Sequence, residues 1–135
     1  MDTAAQQAVR ESLDRCVENP VFLDRFYEVF LASSPKVKEK FAHTNFTRQK
    51  VALQWSLRGM VSLTMGADAE MEAHLGEVAE GHSRAKLGIG AELYDLWLDS
   101  LLQTVKQCDP QCNDELLAAW ESVMQVGIRY FLARY

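Results

Sequence analysis

Apolar positions along the chain recur at steps of three and four and nowhere alternate for long. That is the period of helices with one buried face. Val9, Leu13, Cys16 and Val17 give a first helix its face. Phe22, Phe26 and Phe30 follow at i, i+4, with Leu23, Tyr27 and Leu31 alongside. Ser34-Pro35 stops that helix and opens a short one holding Val37 and Phe41; serine before proline is a cap signal. The segment His43-Thr44-Asn45-Phe46-Thr47 reads as a loop ending in a capping residue, Thr47. A longer helix then carries Val51, Leu53, Leu57, Met60 and Val61 as far as Gly66-Ala67-Asp68. Met71, Leu75, Val78 and His82 share a face of the next helix. Beyond Gly88 and Gly90 come Leu93, Tyr94, Trp97, Leu98, Leu101, Leu102 and Val105, ended by Asp109-Pro110. The last helix carries Leu116, Leu117, Trp120, Val123, Met124, Ile128 and Phe131. The pattern predicts six substantial helices and one short one, in a compact all-α domain with short connections.

Composition agrees. Leu (16) and Ala (15) dominate, whereas Ile occurs twice and Thr five times. Helix formers are rich and strand formers poor. The 135 residues suit one domain over 1–135, with no room in them for a separate flavin or nicotinamide domain. Fourteen Lys+Arg stand against nineteen Asp+Glu, a net charge of -5. That balance argues against nucleic-acid binding and against a polybasic membrane-surface protein. No apolar run approaches the roughly 20 residues of a membrane span. The polar start Met1-Asp2-Thr3-Ala4 does not look like a signal sequence, so a cytoplasmic location is expected. Cys16, Cys108 and Cys112 are an odd number, which speaks against a disulfide framework.

His82 lies on the apolar stripe where a leucine is expected. A lone histidine there is more often a satisfied core residue than a ligand. Its context changes that reading. The run Phe26-Tyr27-Glu28-Val29-Phe30-Leu31-Ala32-Ser33-Ser34-Pro35-Lys36-Val37-Lys38-Glu39-Lys40-Phe41 resembles the second and third helices of bacterial globins. Gln49-Lys50-Val51-Ala52-Leu53 is similar to the distal-helix motif of flavohaemoglobins, and Glu115-Leu116-Leu117-Ala118-Ala119-Trp120 to the start of their last globin helix. Order and spacing together carry the likeness, over nearly the whole chain.

The resemblance implies a globin-like fold, a three-on-three helical sandwich around a haem pocket. It implies haem b (protoporphyrin IX iron) as cofactor and His82 as its axial ligand. Phe41 takes the place of the phenylalanine on the haem face. Tyr27, fourteen residues earlier, takes that of the distal tyrosine, with Gln49 as a second distal donor. Leu53, Val78, Ile89 and Leu98 are expected to wall the pocket, with Leu57 and Leu101. Glu115 and Tyr94 are the family's candidates to support the ring of His82. The interval from His82 to Tyr94 is slightly longer than in flavohaemoglobins, which leaves that contact open. A shift of one residue in the loop from Ala42 to Thr47 would bring Arg48 or Lys50 to the pocket in place of Gln49.

An axial imidazole needs its second nitrogen engaged so that tautomer and orientation are set. A carboxylate there would favour oxygen activation. Haem propionates need cations; Arg84, Lys86, Arg48 and Lys50 are candidates. His43 lies near the distal side as a candidate sixth ligand, and Trp55, off the main stripe, is a candidate interface residue.

The resemblance thus implies reversible binding of oxygen and other diatomic gases, with oxygen, carbon monoxide or nitric oxide as ligands. One alternative is conversion of nitric oxide to nitrate with an external reductase, which would make the protein an enzyme. Another is gas sensing through a partner chain or a homodimer.

Overall fold

The computed structural model describes residues 3–66, 69–83 and 86–135. Among them are seven helices and no strand: α1 (Thr3–Glu18), α2 (Phe22–Ser33), α3 (Pro35–Lys40), α4 (Phe46–Thr64), α5 (Ala69–Gly81), α6 (Ala91–Cys108) and α7 (Asp114–Ala133). The single short one is α3. No helix among the described residues is long and apolar enough to cross a membrane.

Local chemistry sets the helix ends. Ser34 caps α3, its hydroxyl accepting the Lys36 N–H, with Pro35 in the first turn. Asn113 caps α7 by accepting from the Leu116 N–H at 2.8 Å. The cap of α4 differs from the sequence expectation. Asn45, not Thr47, accepts the Arg48 N–H, so the helix begins at Phe46. Asparagine and threonine are both good caps, and the one with extended backbone at the loop exit takes the role. The earlier start brings Phe46 into the helix, where it stacks on Phe41 with ring centroids 6.0 Å apart.

The helices form two layers of three. α1, α4 and α5 make one and α2, α6 and α7 the other, with α4 and α1 packed across α7, and the short α3 beside α2. Glycine permits the closest crossings. A Cβ on Gly127 of α7 would meet the Met60 side chain of α4 at 2.5 Å, and one on Gly59 would meet Met71 and Leu75 of α5 at under 3 Å. The core between the layers is large and apolar, with Trp120, Phe22, Phe26, Leu57, Leu75, Leu101 and Met124 fully buried.

One polar cluster interrupts it. Asp109, at the end of α6, accepts from Ser12 Oγ (2.5 Å), Arg15 Nε (2.8 Å), Arg15 Nη2 (2.9 Å) and the Gln111 N–H (2.9 Å). Ser12 Oγ in turn accepts from Trp120 Nε1 at 2.9 Å. Burial pushes the Asp109 carboxyl up, but the bonds from Arg15, Ser12 and Gln111 outweigh it and hold it below the ordinary range. The cluster ties α1 to the corner between α6 and α7 with its buried polar groups partnered. All three cysteines are free thiols. Burial drives the Cys16 thiol up to about 12, which leaves it unreactive.

Candidate functional site: an apolar cavity with an imidazole in its wall

Between the layers lies a cavity of about 370 Å³. Two aromatic groups form separate parts of its wall.

The first group holds His82. Met71, Leu75 and Val78 run down one face of α5, and His82, the residue just past its end, continues the stripe, its N–H still bonding the Val78 carbonyl at 3.0 Å. The chain then folds back on the helix end. The N–H groups of Leu87, Gly88 and Ile89 bond the carbonyls of Gly81, Ser83 and His82 at 3.1, 2.8 and 2.9 Å. Gly88 makes the reversal with φ +64, a conformation that side chains disfavour. The turn satisfies the carbonyls of Gly81, His82 and Ser83, at and just past the end of α5, and sends Leu87 and Ile89 to the cavity wall.

His82 Nδ1 lies 2.9 Å from the hydroxyl of Tyr94, in the first turn of α6. The longer interval between them is therefore taken up in the connection between α5 and α6, and α6 still presents Tyr94 to the ring. Phe131 of α7 completes the group, stacked on Tyr94 at 6.0 Å and edge-on to His82 at 5.8 Å. Burial lowers the pKa of His82 and raises that of Tyr94 above the ordinary phenol range, so both rings are neutral at physiological pH.

The second group holds Tyr27. Its ring meets Phe26, Phe41 and Phe46 edge-on at 5.1, 5.9 and 5.3 Å. Phe30 and Phe41 meet the same way at 5.7 Å. The Tyr27 hydroxyl donates a long bond, 3.5 Å, to the Gln49 carbonyl. Burial pushes its pKa up to about 12, so it stays a donor.

Of the residues expected at the site, His82, Phe41, Tyr27, Gln49, Leu53, Val78 and Ile89 all line this cavity. Leu98 does not. It is buried in the core, as are Leu57 and Leu101, and its neighbour Trp97 faces the cavity instead, edge-on to Phe26 at 6.2 Å. Adjacent helical residues differ by about 100° in direction, so only one of the pair can point there. Phe30, Met60, Leu93 and Phe131 are further lining residues, which periodicity alone assigns to the core.

Glu115 is not near His82. It is exposed in the first turn of α7, sixteen residues before Phe131, or about 24 Å along the axis. No carboxylate among the described residues lines the cavity.

The register of α4 directs Gln49 to the cavity. Arg48 is exposed, and Lys50 pairs with Asp24 of α2. Lys86 is exposed, and Arg84 lies outside the described residues. Among the described residues, the cation at the cavity wall is Lys40, which the sequence pattern does not single out. His43 is exposed and does not line the cavity. Trp55 is exposed on the outer face of α4 with Val51 one turn away.

A three-on-three helical sandwich enclosing an apolar cavity, with a neutral histidine in its wall, defines a globin architecture. No family model matches the chain. A solved structure does: protein PA3967 from Pseudomonas aeruginosa PAO1, described as structurally highly homologous to a human hemoglobin. It superposes with a TM-score of 0.90 at 40% identity, covering 97% of this chain and 98% of that one. Two curated relatives named Flavohemoprotein, from Bacillus thuringiensis subsp. konkukian and Bacillus anthracis, are each 33% identical over 97 residues. That match takes in 71% of this chain and spans 23% of each relative's length. The chain belongs to the globin family.

Proposed function

We propose that the protein binds haem b in this cavity, with His82 as axial ligand, and that it binds oxygen and other diatomic gases reversibly. The observation that carries the reading is the His82 ring itself. It is neutral, it faces an apolar cavity, and its Nδ1 is held by Tyr94.

The residues present fit an iron porphyrin. A flat apolar body needs apolar walls, which Phe41, Leu53, Val78, Ile89, Leu93 and Phe131 supply. An axial imidazole needs a partner that sets its tautomer. With Nε2 as ligand, Nδ1 carries the proton and donates to the Tyr94 oxygen. None of the three cysteines lines the cavity, so a non-covalent porphyrin suits the site better than a thioether-linked one.

A bound haem iron would supply the capacity to ligate diatomic gases. The chain's own contribution is a dry pocket and a donor. The Tyr27 hydroxyl stays protonated and is held in the wall by three aromatic rings. Its bond to the Gln49 carbonyl is long, so reorienting toward a polar ligand forfeits little. Gln49 stands beside it as a second donor.

The partner of His82 is a neutral phenol. A carboxylate at that position would favour oxygen activation; a phenol leaves the imidazole less electron-rich, which suits reversible binding. The likeness to flavohemoproteins supports a second reading, nitric oxide conversion with an external reductase. The absence of a carboxylate from the described cavity wall favours the first.

The absorption spectrum of the purified protein tests the proposal. A stoichiometric haem band, shifting on addition of carbon monoxide and of oxygen to the reduced protein, is expected. His82→Ala should lose the band, with partial recovery in added imidazole. A well-folded wild-type protein that takes up no haem overturns the reading.

A further inference from the structure

Val51 (57% exposed), Trp55 (54%) and Met65 (39%) are large apolar side chains left open on α4 and its C-cap. None of them lines the cavity, which α4 meets through Gln49, Leu53 and Met60. With Arg58 and Ser62 they fall at steps of four, three, four and three, so Val51, Trp55, Arg58, Ser62 and Met65 make one stripe. That spacing is the seam one helix offers to another. Apolar residues scattered singly need no account, but a stripe holding a tryptophan does. Beside it the surface is hollow. A crevice of about 420 Å³ lies between α1 and the second half of α4, walled by Leu13, Arg58, Val61, Ser62 and Met65, with Met71 of α5 at its end and the exposed Arg10 at its border. The Arg58 Nη1 pairs with Asp14 at 3.0 Å, and Ser62 Oγ donates to the Arg58 carbonyl at 2.9 Å. Both can be covered by an apolar side chain and keep these partners.

From this arrangement we propose that the outer face of α4 is a homodimer interface. Two copies cross α4 on α4, antiparallel, and the Trp55 side chain of each enters the crevice between α1 and α4 of the other. The order of sizes along the stripe is self-complementary. With Arg58 at the two-fold axis, Trp55 meets the small Ser62 and Val51 meets Met65, and each contact occurs twice. A large aromatic in a pocket with a polar margin is the usual energetic centre of such a contact. The charges match in the same register. Arg48, exposed, continues the stripe ten residues before Arg58, about 15 Å along the axis. Past the other end, the first turn of α5 carries the exposed Glu70 and Glu72 on either side of Met71. Antiparallel pairing sets the basic end of each stripe against the acidic end of the other, whereas parallel pairing sets like against like. The inference does not depend on what the cavity holds.

Sedimentation equilibrium of the full chain, from low micromolar to near-millimolar concentration, tests it. The melting temperature of each variant is recorded at low concentration alongside. The wild type is expected to show a monomer–dimer equilibrium. Trp55→Ala should raise the dissociation constant more than about tenfold, with the melting temperature of the monomer kept. Arg48→Glu should weaken the dimer roughly two- to fivefold, and adding Glu70→Arg and Glu72→Arg to it should restore association. A wild type that stays monomeric throughout overturns the proposal and assigns the stripe to a partner of another kind. A dimer that Trp55→Ala leaves intact places the interface elsewhere and overturns it as well. A dimer weakened by Trp55→Ala and by Arg48→Glu, yet not restored by the exchanged charges, overturns the antiparallel pairing.

Discussion

The hydroxyl of Tyr94 lies 2.9 Å from Nδ1 of His82, although twelve residues and a reversal of the chain separate them. α6 begins at Ala91 and its first turn carries Tyr94 to the imidazole, and Phe131 of α7 packs on both rings. The imidazole is thereby held from two helices other than its own. Its orientation is a property of the three-helix corner.

Replacing Tyr94 with Phe keeps the stacking on Phe131 and removes only the hydroxyl. Haem loss from the variant should be about tenfold faster, the lower range for deleting a hydrogen-bond partner of a metal-bound histidine. Transfer to apomyoglobin measures it. An unchanged rate would show that packing alone orients His82.

Tyr27→Phe removes the donor in the opposite aromatic group. Oxygen should leave the reduced haem protein roughly 10- to 100-fold faster, the equivalent of about 1.5–3 kcal/mol for a hydrogen bond to a charged acceptor. Stopped-flow displacement by carbon monoxide reads the rate. Gln49→Leu should have a smaller effect, because Gln49 is only half-buried at the cavity edge.

The apoprotein should lose stability as pH falls from about neutral, in two stages. His82 is held below its ordinary value of 6.5, so below 6.5 the unfolded chain binds a proton that the folded chain refuses. Its contribution is complete above 6.5 and is lost as pH falls toward the folded value. Asp109, held below 3.8, behaves likewise at lower pH, its contribution being lost as pH falls from 3.8 through the folded value. Denaturant unfolding between pH 7 and 5 should show the first stage in wild type and lack it in His82→Gln.

Asp109→Asn should destabilise the fold by about 2–4 kcal/mol, because it leaves Arg15 and the Ser12 hydroxyl around a group that no longer carries charge. Ser12→Ala should cost less, about 1–2 kcal/mol, since it strands only the Trp120 N–H and one side of the carboxylate. Urea midpoints of the apoproteins compare the two. The reverse order would mean that the hydroxyl, and not the ion pair, anchors α1.

Gly127 and Gly76 should respond oppositely to alanine. A Cβ at Gly127 meets three atoms of Met60 within 3.1 Å, and Met60 also lines the cavity. Gly127→Ala should cost about 1–3 kcal/mol by overpacking and speed haem loss. At Gly76 the nearest atom is 3.8 Å away, so Gly76→Ala should stabilise α5 by about 0.5–1 kcal/mol. Thermal melts of both variants decide it.

The helices are legible in the sequence because an amphipathic helix writes its period into the order of its residues. The stripe through Met71, Leu75, Val78 and His82 sets histidine apart by position alone. Ser34-Pro35 marks the start of α3 in the same local way. Asn45 against Thr47 is a choice between two competent caps, and only the course of the incoming chain resolves it. Leu98 and Trp97 expose the limit of the period. Both lie within the apolar stripe of α6, and which one meets the cavity depends on how α6 is rotated against α2. Glu115 shows a different limit, since a short similar stretch matched the wrong end of a long helix.

What the sequence determined by itself was the set of helices, the length of their connections and the presence of one histidine among leucines. Those follow from interactions between residues three or four apart. The tertiary structure alone decided that Tyr94 reaches His82, that Glu115 does not, and that Lys40 stands at the mouth of the cavity. Each depends on how separate helices cross, and crossing is set by packed volumes such as the contact of Met60 with Gly127. No periodicity along the chain encodes it.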